Sequence, residues 1–330
     1  MKNLLKLFIV SLLIISFRGY AQEKSSFPNG LLFGKIFFDA YTQTGAGENA
    51  TAMEIRRVYL GYKYNYDENF QAYIKLDIGS PYDLSPVSRI RRYAFFKNAG
   101  MKYHKDKLTV NAGITDVFMF TTQEKYWGHR YVDKMYLDKY KFGPKADIGA
   151  NVKWEFSEKF SIDFGLYNGE GYKYLQKDNT YRGGLGITYF PLKSLVTRFY
   201  FDYTEKVLPR ITYSAFVGYK FQKKFVLGFE YNYQQNHTFL KDHNLFGFST
   251  YATWNFNEKW SVFSRYDFLK SNEITQNPWN VLEDGQHFIG GFQYVIHKGI
   301  LVAVNYRDWH SDSNSKWNSG YIFMNFEVKF

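Results

Sequence analysis

Basic side chains recur along this chain at the wet positions of alternating segments: Arg57, Lys63, Lys75, Lys153, Arg182, Arg198, Lys220, Arg265 and Arg307. Arg91 and Arg92 join them in a segment of mixed parity. Arginine grips phosphate-like oxyanions with a rigid fork, and lysine acts as a point charge. Together they can attract and pass small anions without making or breaking a bond. The plainer reading of the same charges is a solvated face with no ligand. A second group sits in one long connection: Lys125, Tyr126, Trp127, Arg130, Lys134, Lys139 and Lys141, with Lys145 beyond them. Its acids are Asp116, Glu124, Asp133 and Asp138, so the segment is modestly positive.

Bond-making chemistry finds little support. The chain has no cysteine, which removes thiol catalysis and disulfides. His237 and His243 share a loop but lack metal-ligand spacing. Asp312-Ser313-Asn314 begins like a calcium loop, but Phe323 stands where the bidentate Glu belongs. Gly45–Ala50 superficially fits a dinucleotide fingerprint, yet a strand pattern follows where a helix is needed. Asp267 with His287 is the one pair of catalytic type, and no nucleophile converges on it in the sequence. The expectation is a non-enzyme without metal or cofactor.

The elements that position these charges follow a two-residue beat. Phe70, Ala72, Ile74, Leu76 and Ile78 alternate with Gln71, Tyr73, Lys75, Asp77 and Gly79. The beat recurs in Ile148–Phe156, Phe225–Tyr233 and Ile322–Phe330. Alternate side chains leave opposite faces of a strand, so each run has one apolar and one polar face. Sixteen strands are predicted: 31–43, 53–64, 70–79, 90–103, 107–115, 146–156, 160–168, 181–190, 195–204, 211–222, 225–234, 245–256, 260–269, 286–297, 300–308 and 318–330. Lys97 and Asn98 break the parity of the fourth, which predicts a bulge. Short connections alternate with long ones. Asp67-Glu68-Asn69, Ser157-Glu158-Lys159 and Asn257-Glu258-Lys259 read as one turn reused.

Composition narrows the setting. Aromatics make up 21% of the chain, including 30 Tyr and 33 Phe, more than a soluble sandwich normally carries. After residue 22 no apolar run approaches the ~18 residues of a spanning helix. The pattern predicts an all-β, 16-stranded antiparallel transmembrane β-barrel with lipid outside, water inside and both termini periplasmic. Residues 1–21 read as a signal peptide: Lys2 and Lys6, then an apolar stretch from Leu4 to Phe17, then Gly19-Tyr20-Ala21. Residues 22–330 form the barrel, located in the outer membrane of a Gram-negative bacterium. The net charge is +11; Lys2, Lys6 and Arg18 contribute three of it, leaving +8 for the barrel. In a barrel these charges concentrate in the lumen and loops, so a small anion rather than nucleic acid is the expected partner.

Residues 116–145 form the longest connection, about 30 residues without a period, and too aromatic for disorder. As the third outer loop they either fold into the lumen and narrow it, or pack outside as a lid. The motifs Met53–Gly61, Gln71–Asp77, Leu108–Gly113, Gly165–Gly169 and Ser264–Asp267, with the terminal Phe330, resemble the phosphate-selective porin O and P family. That resemblance implies a sixteen-stranded, usually trimeric porin with an inward third loop and an arginine and lysine constriction. Phe330 resembles the signal read by the outer-membrane assembly machinery. The expected function is passive diffusion of small hydrophilic solutes with anion, even phosphate, preference. Two other readings stand beside it. One is a sugar channel in which Tyr126, Trp127, Tyr131, Tyr136 and Tyr140 form an aromatic slide. The other is a non-conducting barrel serving as adhesin or secretion-complex subunit.

Overall fold

The computed structural model describes residues 26–44, 50–79, 94–312 and 318–330. The predicted signal peptide and Arg91 and Arg92 lie outside them. Sixteen barrel strands are present among the described residues: β1 Asn29–Thr44, β2 Thr51–Asn65, β3 Phe70–Ile78, β4 Ala94–Lys105, β5 Leu108–Asp116, β6 Ala146–Glu155, β7 Phe160–Tyr167, β8 Arg182–Leu192, β9 Leu195–Thr204, β10 Arg210–Phe221, β11 Phe225–Gln235, β12 Leu245–Asn255, β13 Trp260–Ser271, β16 Gly285–His297, β17 Ile300–Ser311 and β18 Ser319–Lys329. A two-stranded hairpin, β14 Glu273–Ile274 and β15 Asn277–Pro278, sits outside the barrel sheet in the connection after β13, where the sequence showed only a loop. Each barrel strand pairs antiparallel with its neighbours, and β18 returns to β1 in the register Lys35↔Lys329 to Thr44↔Gly320. The sheet therefore closes without an edge, the condition for strands to cross hydrocarbon.

The beat sets the faces. Leu227, Phe229 and Tyr231 are each nearly half exposed on the outer surface, while Glu230 and Asn232, at the alternate positions, are fully buried inside. The same alternation places Asp77, Asp147, Asp163, Arg182, Arg198, Asp202, Arg265, Asp267 and Arg307 within the barrel. The reused turn has one mechanism. Asp67 Oδ1 accepts the N–H groups of Asn69 and Phe70, and Asn257 Oδ1 accepts those of Lys259 and Trp260. Ser157 Oγ accepts the Lys159 N–H in the third copy. In each, a short polar side chain satisfies the turn's own backbone.

Among the described residues four register shifts interrupt the ladders: two beside short turns, at Tyr189/Leu192 and Val295/His297, and two within the wall. Phe37 pairs with Arg57 and Phe38 with Ile55, so Arg56 is an extra residue in β2. Lys75 pairs with Asn98 and Leu76 with Phe96, so Lys97 is the extra residue in β4, where the parity had failed in the sequence. A bulge lets consecutive side chains share a face. Arg56 and Arg57 both point inward, and so do Lys97 and Asn98.

Phe229→Arg, on the outer face near the middle of β11, is expected to cost about 2–4 kcal/mol of barrel stability. Denaturant unfolding in lipid vesicles measures it; an unchanged midpoint would mean this face does not meet hydrocarbon.

Candidate functional site: a basic passage beside an inserted segment

Residues 117–145 leave β5 and return to β6 through a base closed by the Val117 N–H to Lys145 O bond, 2.9 Å. A 3-10 turn, Phe118–Phe120, leads into α1, Thr121–Trp127; a second short helix, α2, covers Tyr136–Lys139. Gly128 ends α1 at φ +70°, a left-handed conformation, and donates its N–H to Glu124 O. Val117, Met119, Phe120, Trp127, Tyr131, Val132, Met135, Tyr136, Leu137 and Phe142 are fully buried. Their apolar partners are inward-facing wall residues, including Phe37, Val196, Phe216, Tyr251, Phe263, Leu269, Ile289 and Ala303. A closed barrel offers those residues only from within, so the segment occupies the lumen and supplies an apolar core there.

Polar bonds fix its position on several sides. Arg198 donates to Phe118 O at 3.0 Å, Tyr251 OH to Gln123 O at 3.0 Å, and Gln234 to Phe142 O at 2.6 Å. Arg265 donates to Lys134 O, and Arg56 to Val132 O and Tyr131 O. Tyr136 OH donates to Phe268 O at 2.9 Å, directly over Gly247, where a Cβ would lie 2.1 Å from that hydroxyl. Glycine is required there because the approach leaves no room for a side chain.

The segment packs mainly on the β7–β16 side, reaches Phe37 and Arg56 across the lumen, and leaves open space against β1–β5 and β18. Two cavities lie there. The one nearer the short turns, about 390 Å³, is lined by Lys35, Lys75, Lys97, Lys125, Arg130, Lys145 and Lys329 against Asp116, Glu124 and Glu327. The one nearer the long connections, about 330 Å³, is lined by Arg57, Lys97, Lys134, Lys141, Lys145, Lys173 and Arg210 against Asp138 and Glu170. Both have a surplus of cations, so the potential along this side is positive. Lys97 and Lys145 line both cavities and thus stand between them.

Lys97 is held tightly. Its Nζ lies 4.9 Å from the Tyr59 ring centre and 5.3 Å from that of Tyr172. It is also 3.4 Å from Tyr59 OH and 3.7 Å from Asp77 Oδ2. Tyr172 OH donates to the same carboxylate oxygen at 3.1 Å, and Arg57 pairs with it at 3.4 Å. Two aromatic faces and one carboxylate therefore position the ammonium group. On the other wall Glu124 binds Lys145 and Arg130, and Arg130 also bonds Asp138 at 3.1 Å. Burial alone would raise the Glu124 and Asp138 carboxyls. The neighbouring cations, Lys145 and Arg130 for Glu124 and Arg130 and Lys134 for Asp138, hold both below the usual range.

The structure sorts the sequence-predicted residues. Arg57, Lys75, Lys125, Arg130, Lys134 and Lys141 line the cavities. Lys63 lies near the short-turn end over Phe33, Lys153 is paired to Glu155, and Lys220 caps the Lys125 carbonyl over the Tyr126 ring. Arg182, Arg198, Arg265 and Arg307 differ from expectation. They point inward but are covered: Arg182 pairs with Asp202 at 2.6 Å, Arg198 with Asp163 at 2.6 Å, and Arg265 grips Asp267 with two 2.7 Å bonds. Arg307 bonds Asn305 and Asn325. Lys139 is likewise engaged, by Asp133 and His287, each at 2.9 Å. Parity reports which face a residue takes, not whether a segment from elsewhere in the chain covers it. Tyr59, Lys97, Lys145 and Tyr172 were not singled out as pore-lining; the parity break at Lys97 was the signal that could have found one of them.

The fold and this passage define a porin-type outer-membrane barrel. A family profile described as beta-barrel porin-2, OmpL-like, matches residues 139–324, and the chain belongs to that family. Solved structures of the same fold include OmpF of Salmonella typhi in complex with daunomycin (TM-score 0.65, 13% identity, 92% of this chain and 98% of that one). The outer membrane channel DcaP of Acinetobacter baumannii has TM-score 0.64 at 12% identity, over 94% of this chain and 100% of that one. Outer-membrane expressed OmpT of Vibrio cholerae has TM-score 0.64 at 11% identity, over 93% and 99%. No curated protein matches the chain in sequence.

His129 reports on the segment's docking. Its Nε2 meets Thr253 Oγ1 at 2.9 Å, its Nδ1 meets Gln293 Oε1 at 3.1 Å, and its ring stacks on Phe263. Burial pushes its imidazole down to about 4, against a smaller opposing effect of the Gln293 bond. A neutral folded form and an unfolded form that protonates below about 6.5 mean that stability falls as pH drops from about 6.5 towards about 4. Between pH 7 and 4.5 the wild type is expected to lose about 2–3 kcal/mol more than His129→Gln. Parallel pH profiles of thermal unfolding would exclude His129 as the cause.

Proposed function

We propose that the chain is a passive, anion-preferring porin whose selectivity is set between the two basic cavities, at Lys97 and Lys145. The observation that carries this reading is their shared lining of both cavities, each with more cations than acids. Solutes move down their gradient through a hydrated path, drawn by a positive field and released because the cations are partly neutralised by Asp77 and Glu124. The inserted segment acts as the constriction. Phosphate is the finer reading, favoured by the resemblance to phosphate-selective porins and by the lysines and Arg57 at the passage.

A sugar slide draws less support. Trp127, Tyr131 and Tyr136 are fully buried in the segment's core and Tyr140 nearly so, which leaves Tyr126 as the one partly exposed ring of the five. Catalysis draws less still. His287 Nδ1 is 3.8 Å from Asp267, but that carboxylate is gripped by Arg265 and accepts the Ser249 hydroxyl, and the pair is buried. We place both termini on the periplasmic side, after removal of residues 1–21 as a signal peptide, with Phe330 read by the assembly machinery. We infer a homotrimer in outer-membrane lipid; the fold is shared with a Vibrio cholerae OmpT structure described as a trimer form.

Reconstituted protein is expected to give an anion-shifted reversal potential in a salt gradient. Lys97→Glu changes the local charge by two units; for an anion about 7 Å away in a water-like dielectric that is about 1 kcal/mol, so anion permeability should fall about five- to tenfold. Lys145→Glu should act in the same direction. A reversal potential unchanged in both variants overturns the assignment, maltodextrin block would favour a sugar pore, and absence of conductance would favour a non-conducting barrel.

A further inference from the structure

On the wall opposite the passage, β11 buries a carboxylate with no ion-pair partner among the described residues. Glu230 is fully buried, and its one hydrogen bond is from Asn232 Nδ2 to Oε2, at 3.0 Å. Among the described residues no Lys, Arg or His forms an ion pair with it. Arg265, whose field reaches it, is committed to Asp267 by two bonds and to Lys134 O by a third. A buried charge without a partner is expensive, so something must compensate it.

Acceptors beside it are unpartnered as well. Glu230 Oε1, Asn232 Oδ1 and Gln123 Oε1 are all buried, and none has a hydrogen-bond partner. Glu230 and Asn232 are successive inward residues of β11. Across the ladder on β10, Ser214 faces Asn232, and on β12, Ser249 faces Glu230. Gln123 reaches this patch from α1, with its Nε2 3.4 Å from Ser214 Oγ. Three orphan acceptors thus come from the wall and from the inserted segment, at neighbouring positions. A proton on Glu230 would neutralise the charge but satisfy at most one further acceptor. A water molecule would donate two hydrogens and leave the charge. A cation answers both needs.

We infer that Glu230, Asn232 and Gln123 bind a hard monovalent cation of the sodium class that fastens α1 to the barrel wall. Carboxylate, amide and hydroxyl oxygens are the ligands hard cations take. One carboxylate balances one positive charge, whereas a divalent ion would leave a buried surplus. The site lies behind the segment rather than on the anion path, so it does not depend on which solute the barrel passes.

The experiment is thermal unfolding of the purified full chain at constant ionic strength, with sodium chloride replaced stepwise by choline chloride. The melting temperature of the wild type is expected to rise by similar steps for each tenfold increase in sodium above the dissociation constant. Glu230→Gln should abolish that dependence. Asn232→Asp keeps Glu230 and adds a second carboxylate, so it should become responsive to calcium, which also serves if Glu230→Gln fails to fold. Equal melting in sodium and choline overturns the inference. So does a dependence that follows pH and not sodium, which assigns the compensation to a proton. A sodium response that persists in Glu230→Gln, or an Asn232→Asp protein indifferent to both ions, overturns it as well.

Discussion

Hydrocarbon accepts no unpaired backbone N–H or C=O, and every other feature of this molecule follows from meeting that demand with strands. Closing β18 onto β1 pairs the sheet all the way round. The closure divides side chains into two populations by parity alone. One meets lipid and is apolar; the other faces an interior of sixteen-strand width, which side chains from the wall alone cannot fill. The segment 117–145 fills part of it, and what it leaves is the passage.

That filling inverts the usual arrangement of a soluble domain. The apolar core lies inside a largely polar tube, built from the segment's own Trp127, Tyr131, Tyr136 and Phe142 and a minority of apolar inward residues such as Phe216 and Phe263. Part of the polar remainder of the covered wall is engaged in cross-strand ion pairs, Arg182 with Asp202 and Arg198 with Asp163. Such pairs return little net stability because desolvation offsets their attraction, but losing one partner strands a buried charge at about 3–5 kcal/mol. They therefore act more as a registration device for the segment than as a source of affinity for solute. The cations on the uncovered side line the two cavities instead.

Irregularity adds to the charge of the passage, through Arg57 on β2 and Lys97 on β4. A regular strand presents one inward side chain in two, which spaces cations too widely to concentrate a field. Bulges at Arg56 and Lys97 place consecutive residues on the inner face of β2 and β4, facing the open side. Tyr59 and Tyr172 then hold Lys97 between their rings, at a position that lines both cavities. On β7 to β9 and on β13, inward charges pair with one another and are covered, as Arg182 with Asp202, Arg198 with Asp163 and Arg265 with Asp267.

Alternation, turn chemistry and spacing are local properties, so the barrel, its strand count and nearly every strand boundary, to within two residues, were legible in the sequence alone. It also determined which way Arg182 or Lys75 points, because parity is fixed by the strand that carries the residue. It foretold the bulge at Lys97 through the failed parity of Lys97 and Asn98, but not the one at Arg56, where an apolar Ile55 kept the pattern plausible. What it could not decide was which inward residues stay accessible. Lys75 and Arg265 carry the same signal in the sequence, yet one lines a cavity and the other lies under Lys134 and Trp127. That difference depends on where a segment more than a hundred residues distant comes to rest. Its resting place is set by packing and hydrogen bonds from many strands at once, which no single stretch of chain encodes.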